Sequence, residues 1–154
     1  MTRLLSPLIL VLAVAACISG GPPPGTIPSV EQARRHLDEV VRLARAGDFE
    51  GMCALGDANC ERSLDMAGRD AVPPDPPNVV GTRTVPTTSS NGQHSFGGIV
   101  FVLCGVDGRG QPYDSEILVF NDGNGLRAIN PVYWGPTRIA SSPQTAATFE
   151  PVSC

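Results

Sequence analysis

Ile99-Val100-Phe101-Val102-Leu103-Cys104 is the stretch that decides the fold. Six apolar residues follow one another, most of them β-branched or aromatic. Such a run is a strand buried on both faces. Asp107-Gly108-Arg109-Gly110 comes next as a hairpin turn, and Tyr113 to Phe120 is the returning strand. Asn121-Asp122-Gly123-Asn124-Gly125 forms a second turn, leading into a strand from Leu126 to Trp134. Three consecutive strands joined by short turns make an antiparallel meander. Upstream, Asn78 to Val85 is a further strand candidate. Residues 86–97, with Ser89, Ser90, Asn91, Gly92 and His94, read as a polar loop.

Further toward the N-terminus the periodicity is helical. Val30, Ala33, Leu37, Val40, Val41 and Ala44 form one apolar stripe roughly 100° wide. Ser29 and Gln32 have the spacing of a capping box. Glu31–Arg35 and Asp38–Arg42 are i,i+4 pairs on the solvated face. Gly47 ends this helix. Asp48 can cap a short second helix from Phe49 to about Leu55, and Asn59 a third from Cys60 to about Ala67. Pro73-Pro74-Asp75-Pro76-Pro77 then forbids helix and forces an extended connection.

Three helices followed by antiparallel strands predict an α+β domain, with the helices packed on one face of a curved sheet. The long first helix, the phrase Ala46-Gly47-Asp48-Phe49 and the end Val132-Tyr133-Trp134 resemble the nuclear-transport-factor-two-like superfamily of cystatin-like cones. The likeness spans roughly residues 29–135. It implies a pocket between the helices and the concave sheet, in folds that serve both isomerases or dehydratases and noncatalytic binding modules. Many members insert a strand among the helices, and no strand is read between Gly47 and Pro73 here. No family motif aligns residue by residue, so the resemblance supplies no catalytic residues.

The N-terminus carries targeting information. Arg3, the apolar run from Leu4 through Val14 and the small-residue junction Ala15-Ala16 make a secretory signal over residues 1–16. Cys17 directly after Val14-Ala15-Ala16 resembles the lipobox of bacterial lipoproteins. That resemblance implies cleavage before Cys17 and a diacylglyceryl group on its sulfur. Leu4 to Ile18 is shorter than the roughly 20 apolar residues a spanning helix needs. Residues 17–28, rich in Gly and Pro, then form a lipidated tether, and eleven of them reach roughly 35 Å when extended. The expected order is completed by a domain at 29–135 and an irregular tail at 136–154. The localisation that follows is the cell membrane or outer membrane, anchored by lipid, on the extracytoplasmic face.

Removal of residues 1–16 takes Arg3 with it, leaving ten Arg and no Lys against fifteen acidic residues, a net charge of about −5. An acidic surface argues against nucleic acid and against docking on anionic lipid by charge. The lack of Lys excludes Schiff-base chemistry. Beyond Cys17, four cysteines in an exported domain favour disulfides. Cys53 with Cys60, and Cys104 with Cys154, is the favoured pairing; a buried Cys104 thiol and a free Cys154 form the alternative. There is no Gly-x-Ser-x-Gly elbow, no phosphate loop and no glycine fingerprint. His36 lies at a helix boundary and His94 in a loop, so no metal or cofactor is expected. Tyr113, Tyr133 and Trp134 could line a pocket, with Asp114 and Glu116 on one strand face as acid/base candidates. The reading that results is a lipid-anchored binding or interaction domain, with an envelope protein or a small apolar ligand as partner. A cofactor-free acid/base enzyme and a structural envelope component are the alternatives.

Overall fold

The computed structural model describes residues 25–90, 93–135, 137 and 139, with the side chains of 90, 93 and 94 left aside. Helix α1 covers Val30–Arg45, α2 Phe49–Ala54 and α3 Cys60–Ala67; a single 3-10 turn follows at Arg69–Ala71. The strands are β1 Asn78–Val85, β2 Thr88–Ser90, β3 Gln93–Ser95, β4 Gly98–Val106, β5 Pro112–Asn121 and β6 Leu126–Ile129. Four of them form a curved antiparallel sheet in the order β1-β4-β5-β6, and β2 and β3 form a separate hairpin. This is the α+β arrangement the element order implied.

The capping signals at Ser29, Gly47 and Asp48 act where the sequence placed them. Ser29 accepts from the Gln32 backbone N–H, and Gln32 Oε1 accepts in return from the Ser29 N–H at 2.9 Å, closing the capping box. Gly47 leaves the helix at φ 72°, a left-handed conformation that suits glycine. Asp48 caps α2 through the Gly51 N–H. Asn59, expected to cap α3, makes no side-chain cap bond; Asp57 Oδ1 instead accepts from the Asn59 N–H. Val30, assigned to the apolar stripe of α1, is 51% exposed, and Leu43 is buried in addition to the expected residues.

Two strand expectations are corrected. The polar loop at 86–97 contains the β2–β3 hairpin, in which Thr88 faces Ser95. β6 stops at Ile129 rather than Trp134. Asn130 turns into the left-handed region at φ 63°, and Pro131, which has no N–H to give a ladder, follows.

β4 is buried from Gly98 through Cys104, as a strand covered on both sides requires. Alternation divides its side chains between the faces. Ile99, Phe101 and Leu103 meet Leu37, Val40, Met52, Leu64, Ile117, Val119 and Tyr133 in the main core beneath the helices. Val100 meets Leu118 and Phe120 on the opposite face, with Val85, Ile129 and Ile139 packed around them. The free edge of β6 is covered: Leu55 O accepts from the Ala128 N–H at 2.9 Å, and Gly56 bridges Ala128. Covering an edge in this way blocks pairing with other chains. Cys53 and Cys60 are disulfide-bonded with their Cα atoms 5.4 Å apart, bracing the loop that does the covering.

Candidate functional site

The residues singled out for a pocket fall into two groups on opposite faces of the sheet. Tyr113, Tyr133 and Trp134 lie together under the helices. The Tyr113 and Tyr133 rings are 6.2 Å apart, and Tyr133 meets Trp134 edge-on at 5.2 Å. All three are buried. Trp134 Nε1–H donates to Gly68 O at 3.2 Å, and Ser115 Oγ donates to Tyr133 O, so the ends of these elements are tied by polar bonds. Burial pushes the Tyr133 phenol up to about 12, opposed by the field of Arg45. Burial, with a smaller contribution from Tyr133, also raises Tyr113. Phenols so placed stay protonated at neutral pH, and the cluster behaves as core.

Asp114 and Glu116 project to the other face, as period two requires. Glu116 is buried, and its Oε2 has two partners. Arg83 on β1 reaches across β4 to place Nη2 2.9 Å from Glu116 Oε2, and the Ile139 N–H donates to the same oxygen at 2.9 Å. The backbone of Glu116 is also held: its N–H donates to Thr137 O at 2.9 Å and its O accepts from Asn130 Nδ2 at 2.8 Å. The residues after β6 therefore lie along the edge of β5 that β6 leaves open. Singled out as an acid/base candidate, Glu116 instead anchors this crossing. A carboxylate bonded to a guanidinium and a backbone N–H across strands has a structural role.

His36 sits where the apolar stripe of α1 ends. Its Nε2 lies 3.3 Å from Leu55 O, and partial burial holds its pKa below the usual imidazole value. Cys104 is disulfide-bonded rather than a free thiol. Its expected partner Cys154, the expected lipid-attachment residue Cys17 and the side chain of His94 lie outside the described residues. Among the described residues no three His, Cys, Asp or Glu side chains come together as a metal-binding group, and no helix is long and apolar enough to cross a membrane.

Clefts lined by described residues lie at the margins of the domain, and one of them opens where the start of α1 meets the ends of β5 and β6. One of about 340 Å³ borders Arg45, Phe49, Arg69 and Pro74. Its arginines are engaged: Arg45 Nη2–H donates to Pro74 O at 2.8 Å, and Arg69 stacks 5.2 Å from the Phe49 ring and pairs with Glu61. A second of about 290 Å³ lies beside Met66 and Thr137. The third, about 340 Å³, lies between Ile27, Gln32 and Leu126. Two features escaped the sequence reading: the Arg83–Glu116 bridge and the hairpin at 88–95. The alternation of β1 and β5 put both charges on one face, but only the strand order sets them within reach. No protein-family model, curated protein or solved structure matches the chain.

Proposed function

We propose that the chain is an extracytoplasmic lipoprotein, anchored through Cys17, whose domain is a noncatalytic module that engages another envelope protein. The observation that carries the noncatalytic part is the filled space beneath the helices. Leu37, Val40, Phe101, Ile117 and Tyr133 are each no more than 1% exposed there. The carboxylates that acid/base chemistry would need are on the other face, and Glu116 is neutralised by Arg83. A ligand pocket is concave and lined by convergent polar groups, which this interior does not offer. A protein partner fits better than a small apolar ligand, because apolar side chains remain at the surface instead, Met66, Val80 and Val106 among them.

The anchored part rests on the signal-like residues 1–16 and on Cys17 at their junction. Metabolic labelling with an alkyne fatty acid in the native host tests it. The wild type is expected to carry the label, and Cys17→Ala is expected to lose both the label and the membrane fraction. Equal labelling of the two would overturn the reading.

A further inference from the structure

The start of the described chain is fastened to one end of the sheet. Gly25 N–H donates to Asn121 O at 3.3 Å, and Thr87 Oγ donates to Gly25 O at the same distance. Asn121 is the last residue of β5, and Thr87 lies between β1 and the hairpin. Gly98, which begins β4, and Val85, which ends β1, lie at this end too, paired with each other. Val106 and Pro112 form the other end. Nine residues of β4 separate the two, about 30 Å at the usual rise of a strand.

The two ends differ in chemistry. From Cys17 through Val30, and again from Thr84 through Val106, the sequence contains no Asp, Glu, Lys or Arg. These stretches supply the tether, the β2–β3 hairpin and the exposed apolar side chains Ile27, Val30 and Phe96, which are 36%, 51% and 38% exposed. Phe96 is seated by stacking on Phe120 at 5.3 Å. The far end carries Asp70, Asp107 and Arg109, with Arg109 Nη2 and Asp70 Oδ1 2.5 Å apart. Gly108 fits there because a Cβ would lie 2.7 Å from Val72 O.

We infer that the tethered end is a membrane-docking surface: the β2–β3 hairpin, Phe96, Ile27 and Val30 rest on the lipid leaflet that holds Cys17, and the charged end points away. The inference rests on the lipoprotein reading. Fastening at Gly25 removes residues 25–28 from the free spacer. The chain from Cys17 to Gly25 then spans at most about 28 Å at full extension, which keeps this end near the leaflet. The tether and the hairpin carry no formal charge, and Asp122 beside Asn121 is paired with Arg127 at 3.2 Å, so an acidic domain meets an anionic leaflet at low cost through this end. Hydroxyl and amide side chains such as Thr88 and Ser89 suit a headgroup layer, and Phe and Ile side chains favour its apolar boundary.

Full-length acylated protein in proteoliposomes of phosphatidylethanolamine and phosphatidylglycerol, containing a lipid with a diazirine near its headgroup, tests the placement. Cross-linked peptides are mapped by mass spectrometry, and the peptide bearing Cys17 is weighed in the same sample. Labelling at Ile27 and Phe96 is expected to exceed that at Val106 several-fold, although Val106 is 52% exposed. Phe96→Asp is expected to lower labelling of the hairpin peptide while leaving Cys17 acylated. Acylated Cys17 with equal or greater labelling at Val106 would overturn the docking surface alone. A Cys17 peptide of unmodified mass would overturn the docking surface and the lipoprotein reading together.

Discussion

The two faces of the central sheet are built on different principles. Beneath the helices, Phe101, Leu103, Ile117, Val119 and Tyr133 meet Leu37, Val40 and Met52 with no charged group among them. On the opposite face a small cluster of Val100, Leu118 and Phe120 shares the surface with a bridge from Arg83 to Glu116. Burial of apolar area stabilises the first face and is indifferent to which neighbour supplies it. Hydrogen bonds of fixed geometry organise the second, where one carboxylate joins β1, β5 and the chain near Ile139. The first face supplies stability; the second specifies where the chain after β6 runs.

Substitutions should separate these roles. The largest effect is expected beneath the helices: Phe101→Ala removes a ring that is 1% exposed and should cost about 4 kcal/mol in urea unfolding. On the other face, Arg83→Met leaves a buried carboxylate without its cation and should cost about 3 kcal/mol. Adding Glu116→Leu to Arg83→Met should recover much of that loss, since an apolar pair of similar volume replaces a buried ion pair at little cost. No recovery in the double variant would mean that the Ile139 contact, rather than the charge pair, dominates this face. Replacing Cys53 and Cys60 together by Ser should cost about 2.5 kcal/mol for so short a loop, and amide exchange at Ala128 should quicken as the covering loop loosens.

The smallest effect is a pH dependence. Burial lowers the His36 pKa in the folded protein, so the unfolded chain takes up the proton first. Stability from the neutral imidazole is complete above about pH 6.5 and is lost as pH falls from there toward the folded pKa. His36→Gln should flatten that part of the stability curve. An unchanged slope between pH 7 and 5 would place its origin in other groups.

The strongest sequence signals were those with one physical meaning. An unbroken run from Ile99 to Cys104 can only be satisfied by cover on both sides, and β4 is so covered. Ser29 with Gln32, and Pro73 to Pro77, act through the backbone nearby, so they too were legible. The hairpin at 88–95 was not, because Thr, Ser and Gln pair there without apolar alternation. The end of β6 was marked by Pro131, but the apolar Val132-Tyr133-Trp134 beyond it masked the signal; these residues are buried without being strand. Tyr113 and Glu116 were adjacent candidates in sequence, and the pleat sends them to opposite faces. Arg83 and Glu116 are 33 positions apart, and their meeting depends on β1 lying beside β4.

The claim on which the functional reading turns is that the space beneath the helices is filled. Apolar cavities in proteins stay dry and take up xenon, so diffraction from crystals of the domain under xenon pressure measures it directly. The account predicts no ordered xenon among Leu37, Phe101, Ile117 and Tyr133. A well-occupied xenon site bounded by those side chains would contradict it, and would restore a small apolar ligand as the molecule this domain holds.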